Sequence, residues 1–136
     1  MKKDEVVNEL LTSANENGLI PTLYSVFGKS VKVSIPFSQK ACDTSIDELD
    51  FSVRASNAMK RASVFTIGQV IDLIADDGLL RIRNLGRKTQ NEIKTRVLVF
   101  GYERLTENEK KVFIYNTINK NAIEYHVKTY DEKGIN

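Results

Sequence analysis

The sequence predicts a mainly α-helical protein, with a compact helical core flanked by N- and C-terminal extensions. Three observations predict it. Apolar residues recur at helical spacing over 4–16 and again through the stretch 53–100. Hydroxyl side chains that can start a helix stand before each of the later segments, at Ser52, Thr66, Thr89 and Thr106. Strand-like alternation is confined to two short stretches, 31–37 and 122–130, enough for one small antiparallel β element.

The first segment, DEVVNELLTSANE, places Val6, Val7, Leu10, Leu11 and Ala14 on one helical face, with acids in its first turn and Gly18 as its stop. In the following stretch Val31, Val33, Ile35 and Phe37 alternate with polar residues, and Pro36 marks an edge strand or its end. Residues 38–45, SQKACDTS, read as a linker. Ser52 caps a helix of about 53–61, with Phe51, Ala55, Ala58, Met59 and Ala62 on one stripe and Arg54, Asn57 and Arg61 on another. Thr66 caps a second helix, whose buried face is Ile67, Val70, Ile71 and Ile74, and GLLRI makes a short turn after it. Thr89 and Glu92 have the spacing of a capping box, which starts a helix at about Gln90. Ile93, Val97 and Phe100 are its apolar face and Gly101 its end. A second box, Thr106 to Glu109, opens a helix of about 107–120. The final AIEYHVKTY either continues that helix or forms a strand against 31–37, and its alternation favours the strand. The organisation that follows is an N-terminal extension, 1–45, a central domain, 46–104, and a C-terminal extension, 105–136.

Composition narrows the chemistry. The protein has 136 residues, with one cysteine, Cys42, and one histidine, His126. No internal disulfide and no zinc site of ordinary ligand count follow from that pair. Nothing in the sequence frames His126 as a catalytic base, so the expectation is a non-enzyme with no cofactor and no metal. No apolar run approaches the ~18 residues of a membrane span, and the lysine-containing start lacks the apolar core of a signal peptide. No membrane partner is expected, and the expected location is the cytoplasm.

Charge is unevenly spread. Residues 41–53 carry four acids, Asp43, Asp47, Glu48 and Asp50, and no cation. Residues 54–104 then carry ten Lys/Arg against five acids, a local excess of +5. Such a segment fits a modest nucleic-acid contact, with a merely solvated basic face as the plain alternative.

The stretch IRNLGRKTQNEI, residues 82–93, gives the charge a shape. Gly86 lacks a Cβ, so the backbone there can turn sharply and be approached closely. The helix that follows has free N–H groups and a positive dipole end, which favour an anion. Arg87 and Lys88 stand beside that end, and Asn84 can hydrogen-bond a phosphate or sugar oxygen. A well-capped structural turn has the same local features. A second cluster, Arg54 and Asn57, lies one helical turn apart. A weakly hydrated arginine beside an amide suits the narrow, strongly negative minor groove of A/T-rich DNA.

These residues also carry a resemblance. IDELDFSVRASNAMKRASVFTIGQVIDLI followed by LLRIRNLGRKTQNEIK resembles the C-terminal domain of the bacterial RNA polymerase alpha subunit, over roughly residues 46–103. The acidic lead, the V-R-x-x-N helix and the N-L-G-x-K-[ST] hairpin occur in order. The resemblance implies a helical fold with a helix-hairpin-helix element, binding to A/T-rich promoter minor grooves, and contacts with sigma factor and transcription regulators. It implies a DNA-contacting set of Arg54, Asn57, Asn84, Gly86, Lys88 and Thr89. Glu92 aligns as well, with a structural role if it caps the helix. The sigma-facing acids fall on Glu48 and Asp50, while the activator-facing region lies near Ala75, Asp76 and Asp77, where this protein holds one extra residue.

The sequence departs from the family pattern at Arg83, where a proline is usual, and at Ala58, where a cysteine is often found. The segment before residue 46 is too short for the dimerising domain of a complete alpha subunit, which gives the expectation of a stand-alone relative. Two other readings remain at this point. One is a protein-interaction module that occupies sigma or an activator without binding DNA. The other is a helix-hairpin-helix protein of DNA repair or recombination that grips backbone without sequence preference.

Overall fold

A computed structural model describes the backbone of residues 2–135 and the side chains of residues 4–121. Among the described residues seven α-helices follow in order: α1 (Lys2–Asn17), α2 (Leu19–Phe27), α3 (Gln39–Cys42), α4 (Val53–Arg61), α5 (Ile67–Ala75), α6 (Arg87–Glu103) and α7 (Glu107–Ile135). Short 3-10 turns span Ile46–Leu49 and Gly78–Arg81. The mainly helical class is as expected. Among the described residues there is no strand, only an isolated bridge between Ser45 and Thr66. The protein forms two compact units, one of residues 1–35 with 105–136 and one of residues 36–104.

In the first unit, α1 packs on both α2 and α7. Val7, Leu10, Leu11 and Ala14 of α1, Leu19 and Leu23 of α2, and Phe113 and Ile114 of α7 are buried. Ser13 and Thr22 share a 2.8 Å hydrogen bond across α1 and α2. Gly18, with φ 97°, turns the backbone between them. Helix α2 is an element that sequence reasoning missed. Its Pro21 reads as a breaker, yet it sits in the first helical turn, where a missing N–H is tolerated.

Both expected strands are corrected. Residues 31–37 are extended, and the expected alternation is real, with Val31, Val33, Ile35 and Phe37 half-buried between exposed neighbours. The ladder partner is a side chain: Lys32 N–H donates to Asn121 Oδ1, and Asn121 Nδ2 donates to the Lys32 carbonyl, each at 3.0 Å. One amide thus meets both backbone groups of Lys32. Residues 122–130 continue the backbone of α7 instead of pairing. The box at the start of α7 forms as expected: Thr106 N–H donates to Glu109 Oε1 at 2.8 Å, and Glu109 N–H donates to Thr106 Oγ1 at 3.2 Å. A helix so nucleated adds one hydrogen bond per residue, which weak alternation does not outweigh.

In the second unit the supposed linker is partly helical. Ser38 Oγ accepts the Ala41 N–H at 3.1 Å and starts α3. Residues 36–45 therefore lie in the same unit as 46–104. The Ile46 N–H donates to the Phe65 carbonyl and the Ile67 N–H to the Thr44 carbonyl, which ties the acidic lead to the start of α5. Met59, Ile67, Val70 and Ile93 are fully shielded at 0% exposure. Burial of each such side chain contributes about 1.5–3 kcal/mol. Ile71 and Ile74 pack against this core from its edge, half-buried. Ala62 is exposed, because α4 ends at Arg61 and the apolar stripe ends with it. Gly101 does not end α6, which runs on to Glu103 with Gly101 buried inside it.

Candidate nucleic-acid interface

Helix α4 begins at Ser52, whose Oγ accepts the Ala55 N–H at 3.2 Å. Ordinarily a glutamate or glutamine three residues on would return the bond to the cap's own N–H. Here that position is Ala55, which has no such group. Glu92 of α6 supplies it from forty residues away. Ser52 N–H donates to Glu92 Oε2 at 2.6 Å, and Ser52 Oγ donates to Glu92 Oε1 at 2.8 Å. A carboxylate at a helix N-terminus also meets the positive end of the helix dipole. Glu92 therefore fills the anion position of α4.

The expected Thr89–Glu92 capping box is thereby corrected. Helix α6 starts three residues earlier, at Arg87, with Gly86 as its N-cap. Thr89 lies inside the first turn and is buried, at 8% exposure. Gly86 brings no side chain to the cap, so none satisfies the first amides of α6. The Gln90 N–H already returns to the Gly86 carbonyl at 3.0 Å, and Gln90 Nε2 donates to the Leu85 carbonyl at 3.0 Å.

The turn itself is also placed differently. Its left-handed residue is Asn84, with φ 63°, whereas Gly86 has φ −73° and ψ 168°, open to any residue. Asparagine is among the few side chains that enter the left-handed region readily. Leu85, buried, pins the turn to the core, with its N–H donating to the Ile82 carbonyl. A Cβ built on Gly86 would meet nothing within 4 Å. Neither φ nor packing inside the protein requires a glycine there.

The two clusters come together through the Ser52–Glu92 joint. Arg54 and Asn57 are exposed on α4, starting two residues past Ser52. Asn84, Gly86 and Lys88 are exposed on the hairpin and the first turn of α6. Lys88 and Glu92 are spaced i, i+4, so they share a face of α6 about 6 Å apart along its axis. Arg83 and Arg87 are exposed beside them. Of the six residues, only Thr89 is turned inward, which leaves its backbone N–H, in the first turn, as its available group. Sequence reasoning missed Ser52 as part of this arrangement. Its signal was present: a serine cap followed by Ala55 lacks its return partner. Among the described residues, no cluster of His, Cys, Asp and Glu has the arrangement of a metal site, and no helix is long and apolar enough to cross a membrane.

Comparison with known proteins places this unit. Residues 35–98 match the family model for the C-terminal domain of the bacterial RNA polymerase alpha subunit. Over this segment the protein is similar to that family. Over 62 residues the protein is 40% identical to the DNA-directed RNA polymerase subunit alpha of Symbiobacterium thermophilum, a match covering 46% of this sequence and 19% of that one. It is 43% identical over 60 residues to the same subunit of Roseiflexus sp. RS-1 and of Roseiflexus castenholzii, covering 44% of this sequence and 18% of each. The matched stretch thus spans less than a fifth of the length of these relatives. No solved structure matches the protein.

Within the unit of residues 36–104, the acidic lead is knitted into the fold. Asp50 closes the first 3-10 turn in a left-handed conformation, φ 57°, and pairs with Arg96 of α6 at 3.9 Å. Asp47 pairs with Lys60 of α4 at 3.3 Å. Glu48 is exposed between them. The region after α5 is equally local in its bonding. Asp76 accepts the Gly78 N–H at 3.1 Å and pairs with Arg81 at 3.7 Å, and Asp77 takes a left-handed φ of 57°.

Proposed function

We propose that the alpha C-terminal-domain unit is a non-catalytic DNA-binding module of bacterial transcription, acting in the cytoplasm. Its first α6 turn grips a phosphate, and Arg54 and Asn57 read the minor groove of A/T-rich promoter DNA. One observation carries the reading: Glu92 joins the start of α4 to α6, so groove reader and phosphate grip stand on one surface. Glu92 occupies the anion position of α4, and the glycine-capped end of α6 is the one left to a ligand. Anions bind there through backbone N–H groups and dipole together. The absence of a Cβ at Gly86, without any need inside the protein, is accounted for by close approach of a phosphate oxygen. Lys88 adds charge to that contact, Asn84 a hydrogen bond, and Thr89 its N–H.

Phosphate contacts fix register, and Arg54 then enters the groove where its potential is most negative. The relatives' name as subunits of DNA-directed RNA polymerase supports the setting in transcription. Exposed Glu48 and Asp50 offer a basic partner a contact, which fits sigma factor or a regulator.

Fluorescence anisotropy of an A-tract duplex and a G/C duplex, with wild type and Arg54→Ala, tests this. The expected result is an A/T preference in the wild type that the mutant loses. Equal affinity for both duplexes would replace groove reading by sequence-neutral backbone binding. No binding to either would leave a protein-interaction module.

A further inference from the structure

Apart from residue 35, the unit of residues 1–35 and 105–136 lies outside the stretch that the family model matches. It carries an open groove of about 420 Å³ between α1 and α7, lined by Asp4, Val7 and Asn8 on one side and Lys111, Val112 and Tyr115 on the other. Val7 is the buried floor, while Val112 and Tyr115 are 57% and 41% exposed. The walls differ in sign. Asp4 is an acid on α1, and Lys111 is a base on α7, both exposed.

We propose that a second copy of this protein occupies the groove, paired about a two-fold axis. The argument is charge complementarity. A two-fold interface sets each patch against itself, so a residue that meets another is met by it in return. A patch with one acid wall and one base wall fits itself in that arrangement: Asp4 of each copy meets Lys111 of the other. Val112 and Tyr115 then leave water together at the centre, the usual place of aromatic and apolar residues in an interface. The unit also has no net charge, with nine lysines against nine acids and no arginine, so two copies meet without long-range repulsion. The net positive charge of the protein belongs to residues 36–104. Pairing would present two DNA-facing units on one particle, which raises avidity by effective concentration. The inference does not depend on the DNA reading.

Sedimentation velocity of the full-length protein, without DNA, across the micromolar range tests it. The wild type is expected to shift to twice the mass of one copy as concentration rises. Val112→Glu is expected to weaken the association ~10-fold or more. Lys111→Glu sets two acids opposite each other and weakens it too. Combining Lys111→Glu with Asp4→Lys restores it, because the swapped pair is again complementary. Circular dichroism of each variant checks the helices, and Val112→Ser replaces Val112→Glu if the latter unfolds. A wild type that stays monomeric, Val112 variants that associate like it, or a double swap that fails to restore association would each overturn the proposal.

Discussion

Glu92 closes the N-terminus of a helix that begins forty residues before it, through two hydrogen bonds to Ser52 of 2.6 and 2.8 Å. The pair is a capping box split between two helices. Local capping sets where one helix starts. This one also sets where two helices meet, and so where Arg54 stands relative to Lys88.

Removing either partner should therefore cost more than a local cap. Glu92→Ala leaves the Ser52 N–H without its acceptor, and Ser52→Ala loses both hydroxyl bonds. Each is expected to lower stability by about 1–2 kcal/mol, read as a fall in the urea midpoint. The double variant should cost clearly less than the sum of the singles, since both remove the same contact. Strict additivity would mean that the two groups act separately.

Gly86 separates folding from binding. Its φ of −73° and the open space at its Cβ position make a side chain harmless to the fold. Serine is a better helix cap than glycine, so Gly86→Ser should hold or slightly raise stability, by a few tenths of a kcal/mol. The same side chain would stand where the phosphate is proposed to approach, and anisotropy with the A-tract duplex should show weaker binding. A variant that is stable and still binds as tightly as wild type would remove Gly86 from the interface.

Asn84 works in the opposite sense, because the fold does use it. At φ 63°, alanine should cost about 1–2 kcal/mol, whereas glycine should be accommodated. Asn84→Gly is thus the variant that tests the side chain alone. Retained thermal stability with weakened DNA binding is the expected pair of results. Full binding by Asn84→Gly would give Asn84 a purely conformational role.

The sequence was most legible where structure is decided within four residues. Ser52, Thr66 and the Thr106–Glu109 pair start helices as their local chemistry requires, and Thr66 is completed by a return bond from Gln69. It was misleading where a distant group competes. Thr89 and Glu92 have the spacing of the Thr106–Glu109 box, but Ser52 takes the Glu92 carboxylate, and the start of α6 moves back to Gly86. The alternation at 31–37 correctly records one half-buried side, and nothing in it reveals that the partner is a single Asn121 amide. Helix α2 was hidden because Gly18 reads as a stop, and that stop is the tight entry into a new helix. Five of the six DNA-facing candidates were placed on the surface by the fold, and Thr89 was not, since only the true start of α6 reveals its inward position.

The division of labour between Arg54 and Lys88 gives the last prediction. A unit of this size neutralises only a few phosphates, roughly three to five, so log affinity should fall against log salt with a slope near −3 to −4. Lys88 is assigned to a phosphate. Lys88→Ala should weaken A-tract and G/C duplexes alike and flatten the slope by about one unit. Arg54 is assigned to the groove. Arg54→Ala should cost about 1–3 kcal/mol on the A-tract duplex, much less on the G/C duplex, and so erase the preference. Salt-series anisotropy on both duplexes separates these outcomes. If the two variants lost affinity equally on both duplexes, with equal slopes, the surface would be a uniform phosphate contact, and the minor-groove role of Arg54 would be lost.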